Sequence, residues 1–287
     1  MFRPGESDFT GGMTHSTKNE NLTLVIGGTG KTGRRVADRL NAQGRAVRIG
    51  SRKAERPFVW EERSTWGPAL EGAGSAYVTY YPDLAFPGAS EAIGEFSDFA
   101  VAQGVRRLVL LSGRGEEGAV AGEEALKKSG ADWTVVRCNW FNQNFSESFF
   151  LEPVLAGELA LPTGDAVEPF VDADDIADVA VAALTDDRHV HATYELSGPR
   201  LLSFQDVADE LSRATGRTIG YLPVSADDYR AALAAAGEPQ EFADLFTLIV
   251  DGRNASLVDG VQTVLDREPR DFSAYARDAA ATGVWNG

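Results

Sequence analysis

Gly27, Gly30 and Gly33 stand at three-residue intervals in LTLVIGGTGKTGRR, between an apolar run and a basic helix start. Glycines so spaced permit a tight turn, let backbone approach a pyrophosphate, and let the helix pack on its strand. The free N–H groups at the helix start then face the anion. Thr29, Lys31 and Thr32 lie within the same turn and complete the expected phosphate-binding set. Gly30-Lys31-Thr32 also matches the end of a triphosphate P-loop. That motif needs a glycine five residues before Gly30, where Val25 stands, so a dinucleotide is the expected ligand. A bare strand-to-helix turn is the competing reading. The context opposes it: Val36, Ala37 and Leu40 give the next helix one apolar face, and Ala46, Val47 and Ile49 supply a second strand.

The end of that second strand discriminates between nucleotides. NAD-binding folds of this kind place Asp or Glu there for the ribose 2′-hydroxyl. This chain has Gly50-Ser51-Arg52-Lys53 and no acid. Arg52 offers a planar fork for a 2′-phosphate and a surface for adenine, Ser51 a hydroxyl and Lys53 a charge. NADP(H) is therefore expected over NAD. Lys31 and Arg34 either help neutralise phosphate or are solvated charges on the first turn. Glu61 and Glu62 either accept the adenine amino group or are solvated loop charges.

The elements that must position these groups alternate. Strands are expected at Leu22–Ile26, Ala46–Ile49, Ser75–Tyr80, Val105–Leu111 and Trp133–Val136, with helices at Ala89–Gln103 and Glu117–Ser129. Alternation implies right-handed crossovers and a parallel sheet covered on both faces, an α/β doubly wound architecture. Ligands then bind outside the carboxyl ends of the strands. That rule gathers 27–33, 51–53, Tyr80–Pro82, Ser112–Arg114 and Arg137–Asn144 into one site. Helices are expected at Asp172–Leu184, at Phe204–Thr215 capped by Ser203, at Asp227–Ala236 and at Pro239–Val250, with an edge strand at Tyr194–Leu196. Residues 1–20 are expected to be a disordered leader, 21–152 the nucleotide-binding core, and 153–287 a smaller substrate lobe with segments returning to the sheet.

Composition narrows the class. The 287 residues carry 43 acidic and 27 basic side chains, a net charge of −16, which disfavours nucleic acid and anionic membranes as partners. No apolar run is long enough to span a bilayer, and the first twenty residues lack the apolar core of a secretion signal. One cysteine, Cys138, precludes an internal disulfide and fits a reducing cytoplasm; a small buried residue is the expectation for it. Asp172, Asp174 and Asp175 lack the spacing of a metal loop and are expected to serve a helix N-terminus, so no metal site is assigned.

GGTGKTGRRVADRL, RRLVLLSG, SGADWTVVRCNWFNQNF and EPFVDADDIADVAVAAL, with the tail GRNASLVDGVQTVLDREPRDFSAYARDAAATGVW, resemble the NmrA-like branch of the atypical short-chain dehydrogenases. The resemblance covers about residues 21 to 285. It implies a Rossmann fold, NADP or NAD, and a small substrate lobe; its members include quinone and dye reductases and sensors that bind nucleotide without turnover. Active short-chain dehydrogenases commonly use a Tyr, a Lys four residues later, and a nearby Ser. Ser112 matches the serine. The helix that should carry the pair reads EEGAVAGEEALKKSGADW, which places Val120 at the tyrosine position and Glu124 at the lysine position. Lys127 and Lys128 lie a turn later and are expected to face solvent.

Other groups are expected in the cleft. Tyr80 or Tyr81 is expected near the nicotinamide as a proton or hydrogen-bond donor, with packing beside Pro82 as the alternative. Asn139 and Asn144 suit orientation of a carbonyl or carboxamide, and Trp140 and Phe141 suit a flat substrate or join the two lobes as core. The expected function is an NADPH-dependent reductase of a flat, quinone-like or aromatic small molecule, with Ser112, Tyr80 and Tyr81 as candidate catalytic residues. The alternatives are a non-catalytic NADP(H) sensor with a protein partner, and a redox-neutral isomerase or cyclase using Glu124 as base. The chain is expected to be a monomer or homodimer.

Overall fold

A computed structural model describes residues 22–237, 243 and 250–286. Its first half alternates as β1 (Leu22–Ile26), α1 (Lys31–Ala42), β2 (Ala46–Gly50), α2 (Trp66–Leu70), β3 (Ser75–Val78), α3 (Ala89–Ala102), β4 (Arg107–Gly113), α4 (Glu117–Lys128) and β5 (Asp132–Cys138). There follow α5 (Asn144–Glu147), α6 (Leu151–Ala156), β6 (Glu158–Leu161), β7 (Val167–Glu168), α7 (Ala173–Thr185) and β8 (Ala192–Leu196). The last labelled elements are β9 (Leu202–Ser203), α8 (Phe204–Thr215), β10 (Gly220–Pro223) and α9 (Ala226–Ala236); two more helices span Gly260–Leu265 and Phe272–Ala281.

Six strands form one parallel sheet in the order β2-β1-β3-β4-β5-β8. The strands are short, apolar and β-branched, as sheets buried on both faces require. One face carries Leu24, Ile26, Ala76, Leu108 and Leu110 against α2, α3 and α4. The other carries Val25, Tyr77, Val109 and Val136 against α1, α7 and the helix Gly260–Leu265. The order reverses at β1, whose neighbours are β2 and β3, and such a switch point opens a crevice at the strand carboxyl ends.

A third apolar cluster lies beyond the sheet. Phe145, Phe150, Phe170, Phe204 and Phe272 pack with Leu211, Tyr275 and Trp285. Phe145 stacks on Phe150 with centroids 4.9 Å apart, and its carbonyl accepts the Trp285 indole N–H at 2.9 Å. Burial of each such ring is worth about 2 kcal/mol. The small sheets β6–β10 and β7–β9 flank this cluster.

Most expected elements are present with ends shifted by a residue or two. Strand β3 stops at Val78, short of Tyr80, and the edge strand is β8, reached from beyond residue 153. Phe58-Val59-Trp60 is not a strand. Phe58 is buried and meets Trp60, Trp66 and Phe96 as an aromatic knot at the α2–α3 end of the sheet. The leader 1–20, and all but two residues of the helix expected at Pro239–Val250, lie outside the described residues.

Candidate functional site

The glycine turn is built from contacts that side chains would obstruct. Gly27 has φ of 69°, in the left-handed region that favours glycine, and a Cβ there would clash with the Thr79 hydroxyl. A Cβ on Gly33 would clash with the Gly27 carbonyl, so α1 could not sit so close to its strand. The turn closes by Gly30 N–H donating to the Gly27 oxygen at 2.8 Å and is pinned to β2 by Gly27 N–H on the Gly50 oxygen at 2.9 Å. Gly30 is the N-cap of α1, with no side-chain cap and no acid in the first turn. Thr29 and Gly30 are exposed while Thr32 is buried. The open N–H groups and the absence of nearby first-turn carboxylates fit an anionic diphosphate.

The β2 end lies beside this turn. Arg52 and Lys53 are exposed, and the Arg52 guanidinium stands 5.8 Å from the centre of the Tyr81 ring. Tyr81 is 71% exposed, a large aromatic left in solvent beside a basic fork. Ser51 holds the loop through its carbonyl, which accepts Phe58 N–H at 3.0 Å. Tyr80 turns the other way, its ring 5.1 Å from Trp60, whose indole N–H bonds the Thr79 carbonyl at 3.2 Å. Burial and the neighbouring Glu61 and Glu91 raise the Tyr80 phenol above its ordinary range.

At the end of β4, Ser112 is 5% exposed and donates to Glu123 Oε1 at 2.6 Å. Glu123 is fully buried and is held by Arg137 Nε at 2.8 Å and Nη2 at 2.6 Å. Ser112 thus meets neither tyrosine; its proton is committed to a buried ion pair between α4 and β5. Glu124 faces solvent and pairs with Lys127 at 2.8 Å, which removes the geometry a base at that position needs. Lys127 also covers the Trp133 ring at 5.2 Å rather than standing free in solvent. Helical periodicity explains the one-residue change: Ala119, Gly122, Glu123 and Leu126 share the buried face of α4.

Two further carboxyls were not singled out by sequence. Glu116 is 9% exposed, its Oε2 has no hydrogen-bond partner, and its carboxyl lies over Gly113 at the end of β4. Burial and the nearby Asp83 carboxylate push it up to about 8. Gly118 makes that neighbourhood possible: a Cβ there would come within 2.8 Å of the Ala85 Cα. Glu168, fully buried on β7, accepts from Asn139 Nδ2 at 3.1 Å, and burial raises it to about 7. Asn139 Oδ1 in turn accepts from Arg114 at 3.2 Å. Neither carboxyl had a local sequence signal, since Gly118 and Gly122 make room for Ala85 and Leu84 rather than for Glu116. Cys138 is buried and its thiol is raised by burial, as a packing residue is.

The segment after β5 closes the crevice. Trp140 stacks on Phe150 at 5.8 Å, belonging to the third apolar cluster. Phe141 and Phe149 both lie against Lys31, whose Nζ is 5.9 Å and 5.7 Å from their ring centres. Lys31 Nζ donates to Asn144 Oδ1 at 2.9 Å. Asn144 and Phe141 therefore meet the glycine turn through Lys31, and Phe149 joins them. Burial lowers the Lys31 ammonium from 10.5 to about 8, opposed by Glu147. Asp172 caps α7 by accepting Asp174 N–H at 2.8 Å and is bonded by Arg270. Among the described residues no group of three or more His, Cys, Asp or Glu is placed to hold a metal, and no helix is long and apolar enough to cross a membrane.

The model of the NmrA-like family matches residues 121–276, more than half of the chain. The chain belongs to the NmrA-like family. An uncharacterized oxidoreductase of Bacillus subtilis is 32% identical over 93% of this chain and 98% of its own length. The NAD(P)H azoreductase of Xenophilus azovorans is 29% identical over 91% of this chain and 98% of its own. The NADPH-complexed quinone oxidoreductase of Escherichia coli superposes with a TM-score of 0.71 at 18% identity, covering 90% of this chain and 99% of that one. That likeness establishes a Rossmann fold for this NmrA-like chain, in agreement with its parallel sheet.

Proposed function

We propose that this protein is an NADPH-dependent reductase of a flat, conjugated small molecule. One observation carries the reading: α1 starts uncapped at Gly30, and the side chain of its first residue, Lys31, stands 5.9 Å and 5.7 Å from the ring centres of Phe141 and Phe149. A diphosphate seated at the turn directs the nucleotide's two ends apart. Ser51, Arg52 and Lys53 would hold the adenosine end, with the Arg52 guanidinium suited to the 2′-phosphate and, beside Tyr81, to the adenine face. Lys31, Phe141 and Asn144, which meet beyond the carboxyl end of β5, would hold the nicotinamide end. NADPH supplies a hydride there. The chain's own residues orient a planar acceptor on Phe141 and Phe149, and the polar side chains Asn144 and Lys31 face it.

This arrangement has no Tyr–Lys pair on α4, and Ser112 gives its proton to Glu123. A conjugated acceptor removes that need, because the pair of electrons displaced by hydride delocalises to a heteroatom. The azo and quinone acceptors named for relatives are of this electronic kind. The test is substrate-dependent loss of nicotinamide absorbance with quinones, azo dyes and simple ketones. Turnover of the conjugated acceptors in preference to ketones is expected, with NADPH preferred over NADH and the preference reduced about tenfold or more in Arg52→Asp. Binding of NADPH without turnover of any of the acceptors would replace this reading with that of a nucleotide sensor.

A further inference from the structure

Lys31 is the first residue of α1, yet its side chain does not extend into solvent. It crosses from the glycine turn to the segment after β5, where Asn144 Oδ1 accepts from Nζ at 2.9 Å. Phe141 and Phe149 stand about the ammonium at 5.9 Å and 5.7 Å. No carboxylate of the described residues lies within ion-pair distance of it. The charged groups around it are accounted for. Glu147 of α5 is held by Arg34 at 2.6 Å and Arg35 at 2.8 Å. Asp174 of α7 is held by Arg35 at 3.3 Å and Arg39 at 2.8 Å. A desolvated cation without an ion-pair partner is costly, and a ligand that supplies one relieves that cost.

An ammonium has three donors, and one is taken by Asn144. The cation lies between the turn that carries it and the rings of Phe141 and Phe149, in the segment that follows β5. Phe149 is 52% exposed and its ring centre is 5.7 Å from Nζ, so a planar acceptor resting on that ring would lie within reach of the ammonium. We propose that Lys31 is the catalytic acid: it hydrogen-bonds the heteroatom of the acceptor on which negative charge develops and gives it a proton. The inference rests on the reductase reading above. The acceptor gains a hydride at carbon from NADPH, which is left as NADP⁺, and a proton at oxygen from Lys31. The displaced π pair becomes the new O–H bond, and the neutral amine regains its proton from water. Asn144 is the positioning residue, holding Nζ against the rings. The lowered proton affinity of Lys31, about 8, matches proton transfer near neutral pH.

The experiment compares the wild type with Lys31→Met, Lys31→Arg and Asn144→Ala in three measurements. The first is kcat/KM for 1,4-naphthoquinone as a function of pH. The wild type is expected to lose activity above about pH 8, where the ammonium deprotonates. Lys31→Met should fall by about 100-fold or more and lose that limb. Lys31→Arg should move the limb to higher pH, and Asn144→Ala should shift it with a smaller loss of rate. The second is NADPH affinity by nucleotide fluorescence, expected to weaken in Lys31→Met by far less than kcat falls. The third uses 4-nitrophenol, whose colour reports its ionisation, bound to the complex of the protein with NADP⁺. Lys31 should favour the bound phenolate in the wild type, and Lys31→Met should abolish the shift. Retained rate and limb in Lys31→Met overturn the proposal. So does a tenfold loss of NADPH affinity with kcat unchanged, the signature of a phosphate ligand. So does an unshifted 4-nitrophenol. A Lys31-dependent phenolate shift without turnover of any quinone leaves the anion-binding role standing and overturns the reductase reading and the proton transfer with it.

Discussion

Glu116 shows how a single side chain records the shape of the crevice. Its carboxyl is desolvated against Gly113 and shares its surroundings with Asp83, so the folded protein keeps the proton to about pH 8 where the unfolded chain releases it near 4.5. The folded state therefore binds more protons than the unfolded state between those values. The stabilisation is complete below 4.5 and is lost as pH rises through about 8. Glu116→Gln removes the charge that must be desolvated. We expect it to stabilise the protein by about 1–3 kcal/mol at about pH 9 and to leave it within about 0.5 kcal/mol at about pH 5, read by urea unfolding at the two pH values. Residues of this kind are poorly legible in a sequence. Glu116, Glu117, Glu123 and Glu124 look alike in EEGAVAGEE, and only the direction of α4 against the sheet divides them into buried and exposed. Lys31 was legible as a cation at a turn. Its aromatic surroundings were not, because Asn144 and Phe149 lie more than a hundred residues away.

At the scale of elements, the glycine turn was the most legible part of the molecule. Its requirement is local: a left-handed residue at Gly27 and a backbone-to-backbone contact at Gly33. Gly33→Ala places a methyl against the Gly27 carbonyl, and α1 must move off its strand. We expect a loss of about 1–3 kcal/mol in stability and a larger loss of NADPH affinity, because the N–H groups at the turn no longer converge. Differential unfolding and a nucleotide titration on one preparation separate the two effects. Strands buried on both faces were equally legible from their apolar runs. Phe58-Val59-Trp60, assigned to no element from the sequence, is apolar too yet forms no strand. Its residues have strand propensity but find partners in Trp66 and Phe96, and tertiary packing overrides the local preference.

Across the whole molecule, α1, α5, α7 and the approach to the helix Phe272–Ala281 are joined by one set of ion pairs. Arg35 and Arg39 reach Glu147, Asp174 and Asp178; Arg267 and Arg270 reach Asp175, Asp178, Asp172 and Asp278. Asp172 and Asp175 are almost wholly buried, so removing their cations strands a charge. Arg270→Met should cost about 3 kcal/mol, measured by denaturant unfolding, and leave a single transition with NADPH affinity unchanged. Sequence indicated the acids of Asp172–Asp175 as helix-terminal charges. Their arginine partners stand 92 to 98 positions on, beyond the reach of any local pattern. The Trp285 indole extends this logic to the order in which the protein is made. It bonds the carbonyl of Phe145, 140 residues earlier, next to the asparagine that seats Lys31. During synthesis the sheet through β5 can leave the ribosome and pair while the wall of the crevice still lacks its support. The glycine turn is thus synthesised well before Trp285, whose bond to the Phe145 carbonyl must wait until residue 285 has emerged.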